Sequence, residues 1–246
     1  MIINDRKSPS FDDRPEGTKP DMVVLHYTGM AKAEDALARL TDEKSKVSSH
    51  YFIDESGKTY LLVDEEKRAW HAGVSYWQGR ENINHYSIGI ELQNAGHEYG
   101  YTQFPEVQVE ALLTLLEGIF SRHNIKPENV VGHSDIAPSR KEDPGEYFPW
   151  KLLAEKGFSI WPKKDYSVKS GGRIIARMGD KSGYIGSVQK KLSDFGYKIE
   201  VTGELDLQTA IVITAFRRRF IPAFISPVWD ELAEIYLSDL MGQITN

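Results

Sequence analysis

The 246-residue chain contains no cysteine. Disulfides, a thiol nucleophile, thiolate-held zinc and a lipidated N-terminal cysteine are therefore excluded. No apolar run approaches the length of a membrane span. The opening stretch MIINDRKSPSFDDRP lacks the apolar segment of a secretory leader. As encoded, the protein reads as cytoplasmic, with the periplasm or cell envelope as the alternative, and as a monomer. A basic surplus is also missing. Net charge is −6, and residues 166–246 are nearly balanced at 10 Lys+Arg against 9 Asp+Glu, so the acidity lies in the first part. A nucleic-acid partner is not expected from such a surface. Internal repeats and low-complexity segments are absent too. What the chain does have is core material: 40% hydrophobic residues, with 5 Trp, 12 Tyr and 10 Phe. That argues against disorder, and the length suits one large domain or two unequal ones.

Residues 1–20, with Pro9, Pro15 and Pro20, read as a polar extended lead-in. MVVLHYT (22–28) is a buried-strand candidate, and AKAEDALARLTD (31–42) has helical spacing, with Ala36, Leu37 and Leu40 on one stripe. SSHYFID (48–54) and KTYLLV (58–63) flank Glu55-Ser56-Gly57 as a hairpin. SIGIELQN (87–94) alternates Ile88, Ile90 and Leu92 against Ser87, Gly89, Glu91 and Gln93. Pro105 to His123 carries a helix with Leu112, Leu113, Leu116, Ile119 and Phe120 on its apolar face, and NVVGH (129–133) is a short strand. Alternating strands and helices of this kind predict an α/β domain with a mixed central sheet flanked by helices. After Trp161-Pro162 the texture changes. The division expected is residues 1–162 as the first domain, 163–176 as a linker through Gly171-Gly172, and 177–246 as a small helical domain. Its helices fall near 184–195, 207–220 and 228–241.

His26, centred in an apolar strand, taken alone reads as a core histidine with one hydrogen bond, and so does His133. The pair together with Asp143 shifts that balance. Strand-end histidines and a carboxylate on the following loop can converge on one rim of a sheet, and two imidazoles with one carboxylate suit Zn2+ with a fourth position left open. The ligands are far apart in sequence, so the spacing alone is not diagnostic. Glu91 projects from the polar side of its strand, where on pattern alone a surface carboxylate is the simpler reading. Lys141, between Arg140 and Glu142, reads on pattern as a solvated loop lysine.

The segments VVLHYTG, SSHYFIDESGKTYLLVDEEKRAWHAG, SIGIELQN and VVGHSDIAPSRKEDPG…FPW together resemble the zinc-dependent N-acetylmuramoyl-L-alanine amidases of bacterial cell-wall metabolism, whose fold is shared with peptidoglycan-recognition proteins. The resemblance covers about residues 20–162 in the family's order. It implies zinc ligands at His26, His133 and Asp143, a catalytic glutamate at Glu91 and a catalytic lysine at Lys141. It also implies hydrolysis of the amide between N-acetylmuramic acid, or its anhydro form, and the first L-alanine of the stem peptide. The partner is then peptidoglycan or a muropeptide. A non-catalytic peptidoglycan-recognition protein is the alternative from another class. Four residues are weaker candidates for substrate contact: His50 and Trp70, Asn94 after the Glu91 strand, and Arg80 in the loop YWQGRENINHYS as a partner for a stem carboxylate. His85, His97 and His123 read as surface residues without a role.

GSVQKKLSDFGYKIEVTGELDLQTAIVITAFRRRF (186–220) is similar to the helical peptidoglycan-binding module attached to wall hydrolases. Val188, Leu192 and Phe195 form one helix face, while Arg217 stands where that module usually has glutamine. Arg217, Arg218 and Arg219 could meet anionic wall polymer, although a charge run at a helix end is more often solvated.

Overall fold

The computed structural model of the chain describes residues 3–163 and 172–244. A six-stranded sheet runs in the order Ile3–Asp5, Thr59–Leu61, Tyr51–Ile53, Ser87–Leu92, Met22–Tyr27, Val130–Gly132. Only the hairpin pair Tyr51–Ile53 and Thr59–Leu61 is antiparallel; the remaining neighbours are parallel. A parallel strand covered on both faces needs a continuous apolar run. MVVLHY supplies it, with Met22, Val23, Val24 and Leu25 fully buried.

The period-two alternation of side chains sorts the two faces. Val23 and Leu25, together with Ile88, Ile90, Leu92 and Val130, pack on the helix Glu106–Arg122. That helix buries Val109, Leu112, Leu115, Leu116 and Ile119, while Leu113 and Phe120 are only partly covered. Its buried stripe is thus slightly rotated from the expected one. The opposite face carries Met22, Val24 and His26, with Gly89 and Glu91 beside them in register. The helix Ala33–Thr41 closes one end of this face through Ala36 and Leu40 on Phe52.

The extended lead-in is more structured than its composition suggests. Ile3–Asp5 forms the edge of the main sheet, and Phe11–Asp13 pairs with Lys67–Ala69. Arg14 follows, sending its guanidinium to the carbonyls of Glu65, Asn84, His85 and Ser87.

Three helices, Gly183–Phe195, Leu207–Phe220 and Glu231–Ile244, make up the C-terminal part. Each begins on a side-chain cap: Ile185 N–H donates to Ser182 Oγ, Thr209 N–H to Asp206 Oδ1 at 2.8 Å, and Ala233 N–H to Asp230 Oδ1 at 2.9 Å. Two corrections to the sequence reading apply here. The far end of the expected 163–176 linker is not linker, because Ile174–Ala176 pairs antiparallel with Trp229–Asp230. Residues 164–171 of that span lie outside the described residues. Nor is the helical part held at a distance: its core of Leu192, Phe195, Phe216 and Phe220 runs on into Met22, Val24 and Val131 of the sheet. Trp77 is the hinge of that contact. It lies in the loop that also carries Arg80, and it is buried edge-on against Phe195 and Tyr197. Gly196 meets it so closely (φ +144°) that a Cβ there would come within 2.7 Å of the indole.

Among the described residues, no helix is long and apolar enough to cross a membrane.

Candidate active site and metal centre

Ligand sites of parallel sheets lie outside the carboxyl ends of the strands, and His26, His133 and Asp143 gather there. His26 is one residue from the end of Met22–Tyr27, directly across from Glu91. His133 follows the last residue of Val130–Gly132, which is in register with Leu25. Asp143 belongs to the loop after His133 and is drawn back to it by its own carbonyl, which accepts from Ser134 N–H at 2.9 Å. The turn at Pro144-Gly145 thus closes the loop on the histidine. Gly132 permits the closure, since a Cβ there would stand 2.8 Å from Pro144 Cδ.

The three side chains meet in a tight triangle. His26 Nδ1 and His133 Nδ1 are 2.9 Å apart, and each lies 3.1 Å from Asp143 Oδ2. All three residues are buried. His133 Nε2–H donates to the Ala72 carbonyl at 3.1 Å, so the nitrogen facing the triangle carries a lone pair. The His133 lone pair and the Asp143 carboxylate oxygen stand 3.1 Å apart, a repulsive approach that a cation between them would relieve. Nitrogen and oxygen donors in this number are what zinc accepts, so the residues present fit the ion. Burial pushes the His26 imidazolium down to about 4, helped by His133 and opposed by Asp143. Burial pushes the Asp143 carboxyl up, but His133 and His26 outweigh it and hold it far below the usual carboxylate range. Neutral imidazoles and an ionised carboxylate are the forms that bind metal.

A cleft of about 690 Å³ opens over this triangle, lined among others by Trp70, His71, Glu91, Arg140 and Lys141. Glu91 lies on its floor with Oε2 buried and without a hydrogen-bond partner. Burial, and next the charge of Asp143, raise its carboxyl well above the usual range, with Lys141 acting the other way. An unpaired carboxyl poised in this manner is suited to proton transfer.

The structure brings five of the expected site residues together around the triangle, His26, His133, Asp143, Glu91 and Lys141, and sets Trp70 in the cleft wall. Three weaker candidates go elsewhere. His50 is fully buried; its Nδ1 accepts from Gly89 N–H at 2.9 Å, and its Nε2 faces the Lys67 carbonyl at 3.0 Å, so it braces the sheet. Arg80 Nη1 donates to both carboxylate oxygens of Asp21 and its guanidinium lies over the Tyr86 ring, leaving it committed away from the cleft. Asn94 ties its own loop, donating to the Thr102 carbonyl and accepting from Gly96 N–H.

Conversely, His97 is no idle surface residue. It lines the cleft, contacts Tyr27 Oη and Glu146, and stacks on Tyr101. His123 is largely covered and paired with Glu65 at 2.7 Å, and His85 contacts Arg68 and packs on Tyr86. His71 is the residue sequence reasoning missed: its Nδ1 lies 3.0 Å from His26 Nε2. One signal did point to it. Gly89 leaves a gap on the polar face of its strand, between Ser87 and Glu91, and a strand glycine marks close approach of another group; here that group is the His71 ring.

The arginine run is neither solvated nor free for an anionic polymer. Arg217 is ion-paired with Asp230, Arg218 with Glu142, and Arg219 with Asp135. The last two partners sit in the loop that carries His133 and Asp143.

This geometry has counterparts. Residues 16–146, just over half the chain, match the family described as N-acetylmuramoyl-L-alanine amidase. The chain is 44% identical over 153 residues to the N-acetylmuramoyl-L-alanine amidase AmiD of Escherichia coli (strain K12), a stretch covering 57% of this chain and 54% of that protein. A Rickettsia conorii protein provisionally given the same amidase name is 31% identical over 98% of this chain and 92% of its own length. The solved complex of E. coli AmiD with anhydro-N-acetylmuramic acid-L-Ala-D-γ-Glu-L-Lys superposes with a TM-score of 0.76 at 33% identity, covering 94% of this chain and 92% of that one. AmpDh3 of Pseudomonas aeruginosa, in complex with anhydromuramic pentapeptide, gives 0.77 at 30% identity and 94% coverage of both. A pattern match across the sheet and its ligand loop, and relatives aligned through the C-terminal helices as well, make the chain a member of the N-acetylmuramoyl-L-alanine amidase family.

Proposed function

We propose that the protein hydrolyses the amide joining the lactyl carbonyl of N-acetylmuramic acid, or of its anhydro form, to the L-alanine of a peptidoglycan stem, in cell-wall turnover or recycling. The observation that carries this reading is the unpartnered, buried Oε2 of Glu91 beside the His26–His133–Asp143 triangle. His26 Nδ1, His133 Nδ1 and Asp143 Oδ2 would hold zinc, which supplies a Lewis acid for the scissile carbonyl and lowers the pKa of water toward neutrality. Glu91 takes the proton of the attacking water and returns it to the departing alanine nitrogen. Lys141 faces the oxyanion that develops on the former carbonyl. Trp70 forms part of the wall against which substrate lies. Because Arg217, Arg218 and Arg219 are turned inward, any glycan contact by the C-terminal part would have to use other residues.

The test is to measure bound metal and then the release of free L-alanine amino groups from anhydromuropeptides, with and without a chelator. Stoichiometric zinc and chelator-sensitive release are expected. Metal-free protein that binds wall fragments and cleaves none would leave the recognition-protein reading instead.

A further inference from the structure

Both histidines of the triangle turn their second ring nitrogen toward one short segment, His71–Ala72. His133 Nε2 meets the Ala72 carbonyl, and His26 Nε2 meets His71 Nδ1. The direction of the second bond follows from the groups beyond it. Ser87 Oγ donates its single proton to the Ile83 carbonyl at 2.7 Å. It is therefore the acceptor for His71 Nε2, which lies 3.3 Å away. A neutral imidazole carries one proton. With that proton on Nε2, His71 Nδ1 is a lone pair, and the hydrogen between the two rings belongs to His26 Nε2. His26 Nδ1 is then unprotonated and faces His133 and Asp143.

The segment is held for this task. His71 N–H and Ala72 N–H both donate to Asn84 Oδ1, at 3.1 and 2.8 Å. The ring has room because residue 89 is glycine; any Cβ there would run into it. His71 itself is only 9% exposed, so water is a poor substitute acceptor.

We propose that His71 is a positioning residue for the metal: it fixes His26 as the Nε2–H tautomer and so presents Nδ1 as a ligand, while the Ala72 carbonyl does the same for His133. Asn84 keys both. The inference rests on the metal reading of the triangle. An uncharged acceptor orients His26 without placing a further anion beside Asp143 and Glu91. Removing such an orienting partner generally costs about 10–100-fold in metal affinity.

The test uses the full-length, zinc-loaded protein. Zinc affinity is measured by competition with a chromogenic chelator for wild type, His71→Phe and His71→Gln, with thermal melting to confirm folding. The phenylalanine variant is expected to bind zinc about 10–100-fold more weakly. The glutamine variant, whose amide oxygen can accept from His26, recovers most of the loss. Nitrogen-15 spectra of the wild-type imidazoles give a readout that needs no variant: His26 Nε2 carries the proton, with a scalar coupling across the hydrogen bond to His71 Nδ1. Wild-type affinity in His71→Phe, a glutamine variant as weak as phenylalanine, or a proton on His71 Nδ1 would each overturn the proposal. Wild type that takes up no zinc refutes the metal reading instead, so the two failures are distinguishable.

Discussion

Arg219 Nη1 sits 2.8 Å from Asp135 Oδ2, with both side chains sealed from solvent (2% and 1% exposed). The same carboxylate accepts from Gly132 N–H and from Tyr197 Oη–H, each at 2.8 Å. Arg219 also donates to the Val130 carbonyl and lies over the Trp150 ring. Asp135 is two residues from His133, so the segment bearing His133 and Asp143 is anchored by the helix Leu207–Phe220. The pair Arg218–Glu142, next to Asp143, adds a second strut.

Removing one member of that buried pair leaves the other charge uncompensated, which typically costs about 3–5 kcal/mol. Arg219→Met should therefore lower unfolding stability by that order in urea titrations, and Arg219→Met combined with Asp135→Asn, which removes the charge but keeps an acceptor for Gly132 N–H, should restore part of it. A single variant within about 1 kcal/mol of wild type would show that the loop does not depend on this strut.

Glu91→Gln keeps the shape of the side chain but cannot take a proton. Turnover should fall by at least about 10²–10⁴-fold, with zinc content unchanged by elemental analysis. Near-full activity would remove Glu91 from its role.

Lys141→Met should slow hydrolysis by about 10²–10³-fold, the usual size for a lost oxyanion donor. It should also move the acid limb of kcat/KM. Burial, with Asp143, raises the Glu91 carboxyl, and Lys141 lowers it; a general base acts when ionised, so losing the lysine pushes the limb to higher pH. A limb that stays in place while the rate drops would separate Lys141 from Glu91 electrostatically.

Glu65 offers a pH test remote from the His26–His133–Asp143 triangle. Burial pushes its carboxyl up, but hydrogen bonds from Arg122, His123 and Tyr51 win and hold it at about 2, against the ordinary 4.5. A depressed carboxylate stabilises the fold above its unfolded pKa, and that contribution fades as pH falls from about 4.5 toward 2. Glu65→Gln should lose roughly 1–2 kcal/mol at neutral pH, allowing for solvent screening, and should show a flatter stability profile across that acid window. Parallel wild-type and variant profiles between those pH values would count against it.

Local pattern reported the elements that carry the site, while the roles of His26, His133, Asp143, Glu91 and Lys141 came from the resemblance to the amidase family. The apolar run around His26, the alternation that sets Glu91 opposite Ile90 and Leu92, and the Pro-Gly turn after Asp143 each report on a few adjacent residues. His50, Arg80 and Asn94 show where such reading stops. Alternation tells which face of a strand a residue occupies, but not which group from a distant segment waits there. His50 met Gly89, and Arg80 met Asp21. The Arg217–Arg219 run is the clearest case: charge on a helix end looks solvated until its carboxylates are found 76 and 84 residues away in the chain.

The sequence by itself determined the central strands, the main helices and the kinds of donor the protein could bring to a metal, because propensity, periodicity and side-chain chemistry are local properties. The tertiary structure alone decided that His26 pairs in register with Glu91, that Asp143 folds back on His133, and that His71 and Ala72 orient the two imidazoles. Those are distances between segments far apart along the chain, set by parallel strand register and by the burial of charges that must find partners.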